Sequence, residues 1–288
     1  MHKLISSISA KPVLAFLLGS LAVLGFAPFY LYPMTVIAVA GLFYLWHQAA
    51  SAKQAAWLGF MFGLGLFIFG IYWIYISLHD FGGMPPIGAA FATFCLCAFM
   101  ALFTALVGWL SKRSPNLFIV APLLWALADW VRSWIFTGFP WLTLGYSQVP
   151  NSPLAGFAPV LGIYGVSLVT ALTATLIALW PEKALRKQLL LGFILLLASG
   201  SLLKHIEWSK PLGEPLSIAL LQGNITQDLK WQEDETQRTL DKYYQLAMGT
   251  NAKLIIAPET AFPILLPQMP PAHPRYRSTQ ALPAPTQL

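Results

Sequence analysis

Acidic side chains are nearly missing from the first 180 residues, where only Asp80 and Asp129 occur; the other nine of the eleven lie between Glu182 and Glu259. Charged residues of either sign make up 10% of the chain, against about 25% in an ordinary soluble domain. That scarcity excludes a water-soluble fold for most of the sequence and marks an integral membrane protein. Cysteine is also scarce: Cys95 and Cys97 are the only two, and both sit inside one apolar run. This excludes a disulfide framework and any cysteine-based metal spacing. The histidines do not cluster with cysteines or carboxylates, so neither a metal nor a cofactor is expected. The net charge of +6 could suggest nucleic acid. The basic residues, however, lie in loops between apolar runs, where the positive-inside rule explains them, so no nucleic-acid partner is expected.

What is present is apolar: 57% hydrophobic residues and a mean hydropathy of +0.64. Seven runs, at about residues 12–29, 33–49, 55–78, 87–110, 117–137, 158–180 and 188–204, are each long enough to read as a span across roughly 30 Å of hydrocarbon. The first continues through Pro28 into the second without a small-residue cleavage site, so it reads as a span and not as a removable leader. Lys3, Lys11, Lys53, Lys112, Arg113, Lys183, Arg186 and Lys187 fall in loops on one side, while the alternate loops near 30–33, 79–86 and 138–157 hold no Lys or Arg. The N-terminus is therefore expected in the cytoplasm, and an odd number of spans puts everything after Leu203 outside, in the periplasm of a double-membraned bacterium.

Three features mark the expected outer face. Tyr72-Trp73-Ile74-Tyr75 leads into Phe81-Gly82-Gly83-Met84-Pro85, and Thr137-Gly138-Phe139-Pro140-Trp141 continues through Leu144-Gly145-Tyr146-Ser147-Gln148. Both read either as an aromatic belt with a Gly/Pro turn or as an aromatic-lined mouth that admits a lipid tail, with Tyr75 and Trp141 as substrate contacts. The third feature is Asp129 with Arg132, spaced i and i+3 inside the fifth span. Such charges face the bundle interior and pair, or they contact a headgroup or substrate. Gly59, Gly63, Gly65 and Gly70 on the third span predict close helix packing.

The acidic C-terminal part reads differently. Leu216–Gln222 predicts a strand, 233–248 a helix with Leu240, Tyr243, Tyr244 and Ala247 at helical spacing, and Lys253–Ala257 a second, buried strand. This is a β-α-β unit with Pro258 and Glu259 at the carboxyl end of its second strand, the place where chemistry gathers in parallel sheets.

Taken together, these stretches resemble the bacterial apolipoprotein N-acyltransferase family. The resemblance rests on the two outer-face motifs, on Gln222-Gly223-Asn224-Ile225, on Leu229-Lys230-Trp231 and on Pro258-Glu259-Thr260-Ala261, and covers about residues 12–262. It implies a polytopic α-helical membrane protein of seven spans in the bacterial inner membrane, acting as a monomer, followed by a periplasmic α/β nitrilase-like domain. Residues 1–210 would be the helical bundle and 211–262 the start of the nitrilase-like (carbon–nitrogen hydrolase) domain. It also implies a Glu-Lys-Cys triad. The glutamate takes the thiol proton, the lysine stabilises charge, and the cysteine accepts an acyl group from a phospholipid. That group then passes to the N-terminal amine of a diacylated apolipoprotein. Glu259 matches the base. Trp231 matches a tryptophan near the active site and Trp141 one in the periplasmic membrane loop; for each, packing and substrate contact both stay open.

The sequence also departs from that family. No lysine or cysteine follows Glu259, and Cys95 and Cys97 lie within a span. Residues 263–288 hold seven prolines and no periodicity, which predicts a disordered, aberrant tail. The nitrilase-like domain is therefore expected to be incomplete, and the protein to be truncated at its C-terminal end and inactive alone. The competing readings are a non-catalytic lipid-binding or transporter module and one half of a split enzyme whose partner supplies Lys and Cys.

Overall fold

The computed structural model describes residues 10–226, 233–259 and 261. The protein divides into two compact units, Met1–Lys210 and Pro211–Leu288.

The first unit is helical. Helix α1 (Ala10–Ala22) ends in a single 3-10 turn, and α2 covers Tyr32–His47, α3 Ala52–Gly70 and the short α4 Trp73–Ile76. They are followed by α5 (Pro86–Arg113), α6 (Leu117–Arg132), α7 (Ala158–Ala178) and α8 (Arg186–Lys204). Local chemistry sets several of these starts. Ser51 caps α3 by accepting a hydrogen bond from the Gln54 amide at 3.2 Å, while the Gln54 side chain accepts one from Ala50 at 2.6 Å. This reciprocal arrangement satisfies amides that have no partner within the helix. Prolines stand in the first turns of α2, α5 and α7, where the missing N–H costs nothing.

Four helical stretches are long and apolar enough to cross a membrane: Ala52–Gly70, Pro86–Arg113, Pro153–Ala178 and Lys183–Lys204. Two shorter apolar ones cover Ala10–Gly25 and Tyr32–His47, and α6 has 16 residues. Several expected span ends move inward. The third run was expected to continue to residue 78, but α3 stops at Gly70 because Ile71 leaves helical geometry (φ −128°, ψ 22°). The fifth was expected to reach 137, but α6 stops at Arg132, beyond which Phe136 and Gly138 take positive φ. Large apolar side chains on α5, α6 and α8, among them Phe91, Leu106, Leu123, Leu191 and Leu195, are exposed. That is the pattern of helices solvated by lipid.

With lipid outside, burying apolar area does little to hold helices together, and close packing of small residues matters more. Helix α3 lies between α1 and α5, and its glycines permit the approach. A methyl group at Gly65 would sit 2.1 Å from the Phe16 carbonyl oxygen of α1; one at Gly59 would sit 2.4 Å from the Thr104 carbonyl oxygen of α5. Around them Phe43, Trp46, Phe62 and Trp125 form an aromatic core, with Phe43 stacked on Trp46 at 5.3 Å and Phe62 meeting Trp125 edge-on at 6.0 Å.

In the second unit β1 (Ile218–Leu220) and β2 (Leu254–Ile256) pair in parallel, Ile218 opposite Leu254 and Leu220 opposite Ile256, with α9 (Glu233–Met248) as the crossover. The helix has the extent its periodicity predicts. The strands are shorter than expected, and the expectation of a buried second strand is not met: Ile255 is 41% and Leu220 74% exposed. A parallel sheet is covered when helices lie on both faces. Among the described residues Leu240 and Tyr243 of α9 are buried, Tyr243 against Gly223 in the turn that follows β1.

The glycine contacts generate a prediction. Gly59→Leu is expected to destabilise the bundle by about 1–3 kcal/mol through overpacking against a backbone carbonyl that cannot move aside. An unfolding titration in detergent measures it; an unchanged midpoint would show that α3 and α5 are not held at this distance.

Candidate functional site

In the second unit the carboxyl ends of both strands open on one side. β1 runs into Gln222-Gly223-Asn224, and β2 runs through Ala257 and Pro258 to Glu259. Between these segments and α9 lies an open cleft of about 220 Å³. Gln222, Asn224, Thr239, Tyr243 and Glu259 contribute to its lining. Thr239 and Tyr243 are buried, whereas Glu259 is exposed. Gly223 lets the Tyr243 ring pack against this turn: a methyl group there would lie 2.5 Å from the ring. Asn224 turns the backbone with φ of 50°, a value asparagine tolerates. Its side-chain oxygen accepts a hydrogen bond from Gln222 Nε2 at 2.9 Å. The cleft thus presents a carboxylate and two amide side chains at the end of a parallel strand pair. Such a carboxylate can take a proton from a group bound beside it. Trp231, Leu229 and Lys230, and likewise Thr260, lie outside the described residues.

The other two expected contacts belong to the first unit. Trp141 is 48% exposed, stacks on Phe139 at 5.5 Å and tilts against Trp73 at 5.5 Å. Tyr75 stacks on His79 at 5.5 Å, and His79 Nδ1 lies 2.6 Å from Asp80 Oδ1. The two sequence motifs therefore meet through Trp73 and Trp141, forming one aromatic patch around the loop that follows α6. Cys95 is exposed on α5 and Cys97 is buried in the bundle.

That loop is positioned by the charged pair. Asp129 and Arg132 are 4% and 3% exposed. Asp129 Oδ1 accepts from Arg132 at 2.9 Å, and Oδ2 accepts from the Leu144 amide at 2.9 Å and from Ser167 Oγ on α7 at 2.8 Å. Ser167 Oγ in turn accepts from the Gly145 amide at 2.9 Å. The other Arg132 nitrogen donates to the carbonyls of Phe139 and Trp141. Both side chains are thus engaged with the protein's own loop, which decides between a structural ion pair and a headgroup contact in favour of the first. Reasoning from sequence missed Ser167 and Thr143, and it placed Ser147 and Gln148 in an outer-face motif without marking them as buried. Their signal was weak: small polar residues in an apolar setting.

The model of the apolipoprotein N-acyltransferase N-terminal domain matches residues 18–176, which include α2 through most of α7. The chain belongs to the apolipoprotein N-acyltransferase family. It is 47% identical over 263 residues to an apolipoprotein N-acyltransferase of Nitrosomonas europaea, covering 90% of this chain and 53% of that protein. It is 40% identical over 265 residues to that of Ralstonia nicotianae, covering 89% and 50%, and 39% identical over 273 residues to that of Vibrio cholerae, covering 91% and 53%. The sequence spans about half the length of the curated relatives it matches.

The network around Asp129 carries its own test. Asp129→Ala leaves Arg132 buried without its carboxylate and is expected to cost about 3–5 kcal/mol of bundle stability. Adding Arg132→Met removes the second charge and should restore part of that loss. If the double variant is as unstable as the sum of both single variants, the two residues do not act as a pair.

Proposed function

We propose that this protein provides the membrane bundle and the general base of an enzyme that moves an acyl group from a phospholipid to the N-terminal amine of a diacylated lipoprotein. The observation that carries this is the position of Glu259, in an open cleft at the carboxyl ends of parallel strands, in a protein whose bundle belongs to the N-acyltransferase family. In this reading the bundle crosses the inner membrane seven times with its N-terminus in the cytoplasm. The unit from Pro211 is then periplasmic and nitrilase-like. The aromatic patch of Trp73 and Trp141 faces the incoming lipid, as does Tyr75, and Trp231 lies near the reacting groups.

Chemically, Glu259 takes a proton from a thiol, and the thiolate attacks the ester carbonyl. The acyl–oxygen bond breaks and the glycerol oxygen takes the proton back, leaving a thioester and a lysophospholipid with a free hydroxyl. The lipoprotein amine then displaces the thiol. Neither lysine nor cysteine occurs between Glu259 and Leu288, and both cysteines present lie on α5. The 288 residues are therefore expected to form no acyl-thioester by themselves, and the thiol comes from residues other than these.

The test joins residues 1–259 to the part of the Nitrosomonas europaea protein that follows the position aligned with Glu259. The fusion is expected to acylate a diacylated lipopeptide, and Glu259→Gln to slow it by roughly 100-fold or more. A glutamine variant of undiminished rate, or a thioester trapped on the 288-residue protein alone, overturns the reading. For the topology, alkaline phosphatase fused after Lys210 should be active and fused after Arg113 inactive; the reverse pattern refutes the proposed orientation.

A further inference from the structure

At one end of the membrane bundle a cleft of about 190 Å³ opens between the end of α7 and the start of α8. Leu176, Ile177, Trp180, Leu189, Leu190 and Phe193 line it, all apolar apart from the indole nitrogen of Trp180. The two helices come together deeper in the bundle, where a methyl group at Gly192 would sit 3.5 Å from the Leu176 side chain. Trp180 and Leu190 are 45% and 47% exposed, so the cleft opens sideways into hydrocarbon.

The mouth of this cleft is cationic. Arg186 begins α8, and Leu189, Leu190 and Phe193 follow it at i+3, i+4 and i+7. The four residues therefore share one face of the helix, the face that lines the cleft. Two contacts hold the Arg186 guanidinium at the rim. Its Nε donates to the Trp180 carbonyl at 3.2 Å, and its central carbon lies 5.9 Å from the centre of the indole ring. Neither terminal nitrogen has a hydrogen-bond partner among the described residues. Lys183 lies three residues before Arg186 and Lys187 one after, and all three side chains are exposed. Glu182 is the one carboxylate in this segment, and among the described residues it pairs with none of them. The positive-inside rule explains why basic residues gather at this end of the bundle. It does not explain a guanidinium fixed at the rim of an apolar cleft with its two terminal nitrogens open.

We infer that this cleft holds an anionic phospholipid of the phosphatidylglycerol class, with one acyl chain along Leu176, Leu190 and Phe193 and its phosphate on Arg186. The two terminal nitrogens of a guanidinium match two oxygens of a phosphate. Lys183 and Lys187 add attraction for a headgroup of net negative charge, as basic clusters at the ends of membrane helices do. A phosphatidylethanolamine offers the same phosphate and the same chains. Its ammonium, however, would enter a segment that holds three cations and one carboxylate, where repulsion outweighs attraction. A free phosphate satisfies the charge and leaves the apolar cleft empty. The inference is independent of the acyl-transfer reading, since no acyl group moves.

Binding is measured on the 288-residue protein in a non-ionic detergent by native mass spectrometry. The probes are phosphatidylglycerol and phosphatidylethanolamine with identical chains, and glycerol phosphate as the headgroup alone. One phosphatidylglycerol per protein molecule should bind about tenfold more tightly than the ethanolamine lipid, and glycerol phosphate at the same concentration should not displace it. Arg186→Gln should weaken phosphatidylglycerol binding about fivefold, whereas Lys53→Gln, at the start of α3, should leave it unchanged. Leu176→Trp, which fills the cleft, should abolish binding of both lipids. Equal affinity of the native protein for the two lipids overturns the inference without recourse to any variant. So does a loss from Lys53→Gln as large as that from Arg186→Gln, which would mark a general surface attraction. Phosphatidylglycerol binding that survives Leu176→Trp, or displacement of the lipid by glycerol phosphate, overturns it as well.

Discussion

A carboxylate removed from water must find its donors within the protein, and the bundle is arranged around the way Asp129 finds them. Its two oxygens take three donors: a guanidinium one turn along α6, the Leu144 backbone amide and the Ser167 hydroxyl of α7. An unpaired charge at this depth would be far more costly than the order imposed on the loop. The segment after α6 is therefore drawn back against α6 and α7. Arg132 completes the arrangement from the other side by holding the carbonyls of Phe139 and Trp141. The exposed indole of Trp141 is consequently a side chain on a fixed backbone, braced by Phe139 and Trp73.

The bundle holds together by a different means from a soluble domain. Glycines let α3 approach α1 and α5 closely, and Gly156 and Gly200 do the same where α8 meets the turn before α7. Aromatic rings fill the middle. Branched and aromatic side chains cover the outer surface, where lipid solvates them as well as another helix would. Helix α8 buries only Leu189 and Gly200 along its length, leaving most of its surface to lipid. In the second unit the parallel pairing brings two loops together at the strand ends, and Tyr243 packs on Gly223 to close the floor of the cleft.

Much of this was legible from residue order, and the particular failures are instructive. The spacing of Leu240, Tyr243 and Ala247 marked α9 at its full extent, and the run ending in Pro258-Glu259 marked a strand that delivers a carboxylate. The lone charges Asp129 and Arg132 were marked as a pair by their spacing. The strand expected to be buried is exposed, because an apolar run reports what a segment would bury and not what lies against it. The third span breaks at Gly70, where Leu142 from a distant loop takes up the space beside the glycine.

Hydropathy and short-range spacing depend on near neighbours, so the order of residues alone determined the helical bundle, the crossover helix and the position of Glu259 after a strand. Partners 15 to 38 residues apart in sequence, such as Leu144 and Ser167 for Asp129, could be assigned only by packing. The same holds for the meeting of Trp73 with Trp141. Each depends on which groups the folded bundle leaves within hydrogen-bond or van der Waals reach, and no local pattern records that distance.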